Sequence, residues 1–116
     1  MTNQKFIEWI GQKAVLDMQN TGMLASVTVA QAVLESNYGT SSLAVSAYNL
    51  FGMKCSLSGN SWPGSTWDGI SKFTKKTGEE YDGQKVTVTA DFRKYPSVDD
   101  SITDHSAYLL GAKNGN

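Results

Sequence analysis

Between Asp17 and Lys54 lie 36 residues, and a single one of them, Glu35, is charged. Its sequence neighbours are apolar or neutral, among them Val33, Leu34, Tyr38, Leu43, Leu50 and Phe51. A carboxyl group in such company loses hydration without gaining a counter-charge. It then holds its proton nearer neutrality, as a general acid must. The same residues also fit an exposed glutamate near a helix C-terminus. Glu79, Glu80, Asp82 and Asp91 are further carboxylates downstream that a second acid–base role could draw on. Beside Lys75 and Lys76, the Glu79–Glu80 pair equally suits a solvated turn.

Other chemistries drop out on residue counts. Cys55 is the only cysteine and His105 the only histidine, which excludes a disulfide framework and His- or Cys-rich metal sites. Ten basic against eleven acidic residues give a net charge of −1, without the electrostatic footprint of a nucleic-acid binder. Nothing approaches the ~20 apolar residues of a membrane span. The N-terminus has no signal-peptide block, so action outside a cell implies lysis, a virion, a phage-encoded protein or excision from a larger secreted chain. No metal or cofactor is expected. Cys55 reads as a small buried side chain and His105 as a packed, hydrogen-bonded one.

The elements that carry these residues follow from periodicity. Phe6, Ile10, Ala14 and Met18 recur every four residues, with Trp9 and Leu16 widening the stripe, so a helix runs from Thr2 or Asn3 to Asn20 and stops at Gly22. A second helix, capped by Ser26 or Thr28, carries Val29, Ala30, Val33 and Leu34 and ends at Glu35 or Ser36. Thr40 to Ala47 forms a short third. Cys55 to Trp67 is rich in Ser, Gly and Asn and reads as a loop, with Trp62 and Trp67 either an exposed aromatic platform or part of a minimal core. Lys85 to Phe92 alternates as a strand and pairs with Ile70 to Thr74, joined through Thr77 to Gly83. Ser97 opens a last helix through Ile102, His105, Leu109 and Leu110, before the tail frays. The chain is therefore one mainly helical α+β domain over residues 1–116, with a small β-hairpin inserted between helices.

Several motifs sharpen this. Ala30-Gln31-Ala32-Val33-Leu34-Glu35-Ser36-Asn37-Tyr38-Gly39 is followed by Ser42-Leu43-Ala44 and by Asn49-Leu50-Phe51-Gly52-Met53-Lys54. Then come Glu80-Tyr81, Phe92-Arg93-Lys94-Tyr95 and Asp104-His105-Ser106-Ala107-Tyr108-Leu109. Together, in this order, they resemble the bacterial glucosaminidases of glycoside hydrolase family 73. The resemblance implies a lysozyme-like helical body with a hairpin lobe flanking a cleft, acting at the bacterial cell wall. It implies hydrolysis of peptidoglycan at the β-1,4 bond after N-acetylglucosamine, with Glu35 as general acid and Glu80 as second carboxylate. A muramidase or lytic transglycosylase using the same Glu35 is the nearest alternative, and a non-catalytic wall-binding module a further one.

Asn49 and Phe51 would lie beside the acid as substrate-binding residues, or else hold the loop and pack under the cleft. Tyr81 and Tyr95 would contact sugar, since aromatic faces suit the C–H faces of pyranoses. Family members continue into a helical segment with a Gly-Tyr-Ala-Thr-Asp-Pro-like motif. The motif is not found in these 116 residues, which fits a short version, a truncated domain or one part of a larger chain.

Overall fold

The structure is a computed structural model that describes residues 1–57 and 62–113. The middle of the expected Cys55–Trp67 loop and the last three residues of the tail lie outside the described residues. Among the described residues four helices and two strands follow in order: α1 (Asn3–Thr21), α2 (Ala25–Ser36), α3 (Ser42–Ala47), β1 (Lys72–Tyr81), β2 (Gln84–Arg93) and α4 (Val98–Lys113).

α1 begins where the Thr2 side chain accepts from the Lys5 N–H, and ends at Gly22 in the left-handed region (φ 84°). Its Phe6, Ile10 and Ala14 are fully buried. Burial of a side chain the size of Phe6 or Ile10 stabilises the fold by about 1.5–3 kcal/mol. The stripe is narrower than expected: Trp9 and Leu16 lie at the surface, with the Trp9 ring edge-on to Phe6 and under the Lys13 ammonium. The reason is the neighbour set, because α1 packs on α2 along one side and α4 along another and leaves the rest to solvent. α2 starts earlier than expected, at Ala25, without a side-chain cap. Its buried residues are Thr28, Ala32 and Ser36, while Leu34 faces solvent.

One core joins Phe6, Ile10, Ala32, Ala44, Leu50, Phe51, Met53, Trp62 and Ile102. A smaller one, Leu43, Ala47 and Phe92 with Phe73 and Ala90, seats the base of the hairpin on α3. α1 and α4 are tied by polar contacts as well. The buried Asp17 accepts from the hydroxyls of Ser106, Thr103 and Thr21, and Lys13 pairs with Asp99 at 3.0 Å.

The hairpin corrects one expectation. Its register runs without a break from Lys72↔Arg93 to Tyr81↔Gln84, so the strands extend well past Thr74. The connection is the two-residue turn Asp82-Gly83, with both residues at positive φ (51° and 77°). That is the type I′ geometry whose twist matches paired strands. Ten residues per strand make an arm about 30 Å long. At its base, Met53 accepts from the Arg93 N–H, and the Cys55 N–H donates to Asp91. Lys54 bridges Phe92 there, and this short third segment widens the sheet.

Candidate active site

Glu35 occupies the penultimate position of α2, and the chain beyond it is tightly constrained. Asn37, Tyr38 and Gly39 all lie in the left-handed region (φ 50°, 55° and 78°). Ser36, fully buried, pins this turn: its hydroxyl donates to the Ala32 carbonyl and accepts from the Gly39 N–H. The Ser36 carbonyl also takes the N–H groups of Thr40 and Ser41. Gly39 is required on two counts, since a Cβ there would meet the Phe6 ring at 2.6 Å as well as strain the backbone.

The Glu35 side chain is exposed, which corrects the expectation of a carboxyl enclosed by apolar neighbours. The uncharged stretch turns those neighbours to other faces: Leu50 and Phe51 enter the core below, and Leu34 points to solvent. Among the described residues the carboxylate has no hydrogen-bond or ion-pair partner. It stands over Gly52, where a Cβ would sit 3.8 Å from Oε2.

The surface under Glu35 is built by Asn49. This side chain is buried, and its Nδ2 donates to the carbonyls of Met53 (3.0 Å) and Arg93 (2.9 Å). Its Oδ1 accepts from the N–H groups of Phe51 and Met53. Four bonds from one amide curl residues 49–53 into a turn and fasten that turn to the end of β2. Phe51 drops inward and stacks on His105, centroids 3.9 Å apart and planes 6° from parallel. Burial holds the His105 imidazole well below its ordinary value, at about 4, with Asp104 opposing the shift. Packing matches expectation for this histidine, but hydrogen bonding does not: its buried Nδ1 has no partner among the described residues.

Tyr95 is buried, where a surface aromatic was expected. It is 2 % exposed and donates its hydroxyl to Asp104, because Asp104 is the hub of a buried network. Burial and that neighbouring carboxylate push the Tyr95 phenol far up. Arg93, wholly buried, pairs with Asp104 at 3.2 Å, and its guanidinium lies 3.9 Å from the Trp62 ring and 4.4 Å from that of Trp67. Arg93 also donates to the carbonyls of Lys54 and Cys55. Trp62 is therefore a wall of this clamp, which overturns its reading as an exposed platform. Cys55 is half-buried, and burial raises its thiol.

Glu80 and Tyr81 sit at the far end of the hairpin, both exposed, opposite Lys85 and Gln84. The Glu80 carboxylate has no partner among the described residues. Glu79 is one register position earlier, opposite Val86. Sequence reasoning named Asn49, Phe51 and Tyr95 as substrate contacts, and the structure gives each a buried, architectural position. It placed Arg93 and Asp104 within motifs but gave neither a role, since nothing in the sequence pairs two charges eleven positions apart. Among the described residues no three His, Cys, Asp or Glu side chains converge as a metal site, and no helix is long and apolar enough to cross a membrane.

Residues 11–115 match the family model described as mannosyl-glycoprotein endo-beta-N-acetylglucosaminidase, nearly the whole chain. The chain belongs to the glucosaminidase family of glycoside hydrolases. Glucosaminidase relatives agree with this from several directions. Exo-glucosaminidase LytG of Bacillus subtilis is 35 % identical over 92 % of this chain and 34 % of its own length. A probable N-acetylmuramidase of Lactococcus lactis is 37 % identical over 97 % of this chain and 23 % of its own. The solved catalytic domain of the autolysin Auto from Listeria monocytogenes superposes with a TM-score of 0.73 at 36 % identity, covering 92 % of this chain and 55 % of that one. The chain thus spans about a third or less of these two relatives and about half of the Auto domain.

Proposed function

We propose that this chain is a catalytic domain that hydrolyses the glycan strands of peptidoglycan, cutting the β-1,4 bond that follows N-acetylglucosamine. The observation that carries this reading is the Glu35 carboxylate, exposed and unpaired at the pinned end of α2 and standing over a glycine. A general acid must reach the glycosidic oxygen, and a side chain free of protein partners on a rigid base is suited to that. In the proposed reaction Glu35 gives its proton to the leaving oxygen as the bond to the anomeric carbon breaks. Glu80, at the outer end of the hairpin arm, is the second carboxylate of this reading. The arm must bend toward Glu35 for it to assist attack on that carbon by water or by the sugar's own acetamido oxygen. No metal is needed for either step. The wall polymer is the expected partner because relatives sharing this family are autolysins and peptidoglycan hydrolases by name.

A second reading, cleavage of the neighbouring linkage, is supported by the Lactococcus relatives named probable N-acetylmuramidases. Mass spectrometry of fragments from purified peptidoglycan separates the two. Reducing-end N-acetylglucosamine is the expected product. Reducing-end N-acetylmuramic acid would identify a muramidase, and its 1,6-anhydro form a lytic transglycosylase. Glu35→Gln should lower the rate by at least about 100-fold, the usual span of acid catalysis. Equal rates for the variant and the wild type would refute the assignment, and a large loss in Glu79→Gln with none in Glu80→Gln would move the second role to Glu79.

A further inference from the structure

Tyr48 closes α3 in a left-handed conformation (φ 53°, ψ 24°). Side chains bearing a Cβ visit that region at a cost, and glycine or asparagine commonly takes such helix-ending positions. Strained backbone of this kind persists where its surroundings over-determine it, and it gathers at ligand-handling sites. The surroundings here do so: the Asn49 N–H, next in the chain, donates to the Leu43 carbonyl, and the buried Asn49 amide holds the turn that follows. The Tyr48 ring belongs to neither buried core. It is 45 % exposed, with no aromatic contact or hydrogen bond among the described residues. A glycine or asparagine would close α3 at lower cost.

The place of this residue in the chain suggests a use. Gly52, which borders the Glu35 carboxylate, is four residues along the chain, at most about 14 Å even if fully extended. The chain is not extended, because Asn49 binds both the N–H and the carbonyl of Met53 and folds the segment back. We infer that Tyr48 is a sugar-stacking platform, taking the apolar C–H face of an N-acetylated pyranose of the glycan and holding it beside Glu35. The ring supplies a flat apolar face and its hydroxyl a polar rim, the combination that pyranoses match. This rests on the reading of Glu35 as the acid.

The test uses the Glu35→Gln protein as the binding background. Its affinity for a soluble tetrasaccharide of alternating N-acetylglucosamine and N-acetylmuramic acid is measured by calorimetry, alone and with Tyr48→Asn or Tyr48→Phe added. Tyr48→Asn should bind about tenfold more weakly. It should also raise the thermal midpoint by about 2–5 °C, because asparagine tolerates the left-handed backbone. Tyr48→Phe, which keeps the ring, should retain most of the affinity and gain no stability. With Glu35 intact, Tyr48→Asn should raise KM more than it lowers kcat. A purely structural tyrosine cannot produce lower affinity together with higher stability. Unchanged affinity in Tyr48→Asn overturns the inference, as does an equal loss in Tyr48→Phe. If Glu35→Gln retains turnover, the acid assignment fails instead, and the binding comparison still decides Tyr48.

Discussion

Arg93 has its guanidinium packed on two indole rings and against one carboxylate, and none of the ion pair reaches water. Removing half of such a pair strands the other charge in a low-dielectric setting, at about 3–5 kcal/mol. Asp104→Asn should therefore destabilise the protein by that order, read as a lower denaturant midpoint with an unchanged slope. The Tyr95 hydroxyl loses its charged acceptor in the same variant, so Tyr95→Phe combined with Asp104→Asn should cost less than the two single changes summed. Residues of this kind are illegible in sequence. Arg93 meets Lys54 and Trp62 from some thirty to forty positions away, and Tyr95 looks like a sugar-binding aromatic until its acceptor on α4 is known. Glu35 was legible as the lone charge in its stretch. Its exposure was not, because an uncharged segment does not say which face of its helix is turned to solvent.

Elements were easier to read where a period or a stop signal governs them. The four-residue spacing of Phe6, Ile10, Ala14 and Met18 and the glycine at position 22 locate α1 almost to the residue. The hairpin was underestimated for a physical reason. Gly78, Glu79 and Glu80 have low strand propensity and resemble a loop, but the Asp82-Gly83 turn and the row of Val86, Val88 and Ala90 extend the pairing across them. Gly83→Val, placing a β-branched residue at φ 77°, should loosen the outer hairpin alone. Hydrogen exchange should speed up for amides of residues 78–88 while protection in α1, α2 and α4 is retained. Loss of protection throughout the helices would mean that the arm and the body fold as one cooperative unit.

At the scale of the molecule, buried neutral groups govern the response to acid. His105 has a folded-state value of about 4 against an ordinary 6.5, so between those limits the unfolded chain binds a proton that the folded one refuses. The contribution of this histidine to stability is complete above about pH 6.5 and is lost as the pH falls to about 4, amounting to about 3 kcal/mol. Denaturant melts at pH 7.5 and 4.5 should show that loss, and His105→Phe should shrink the difference. The class, α+β and mainly helical, could be read from the order of periods along the chain. Which helices touch could not, since the α1–α4 contact depends on partners at opposite ends of the sequence.

That last contact has a consequence for how the protein is made. Asp17 finds its hydroxyl partners at Thr103 and Ser106, separations of 86 and 89 residues. A ribosome that has released α1, α2, α3 and the whole hairpin has released a polypeptide with an open interior, its Phe6 and Ile10 still short of Ile102. Helices of such a nascent chain can form locally, but the entropy of closing so long a loop is recovered only when α4 emerges. Until then the apolar side of α1 is available to chaperones or to other unfinished chains. Folding of this domain is thus completed only once α4 has joined α1.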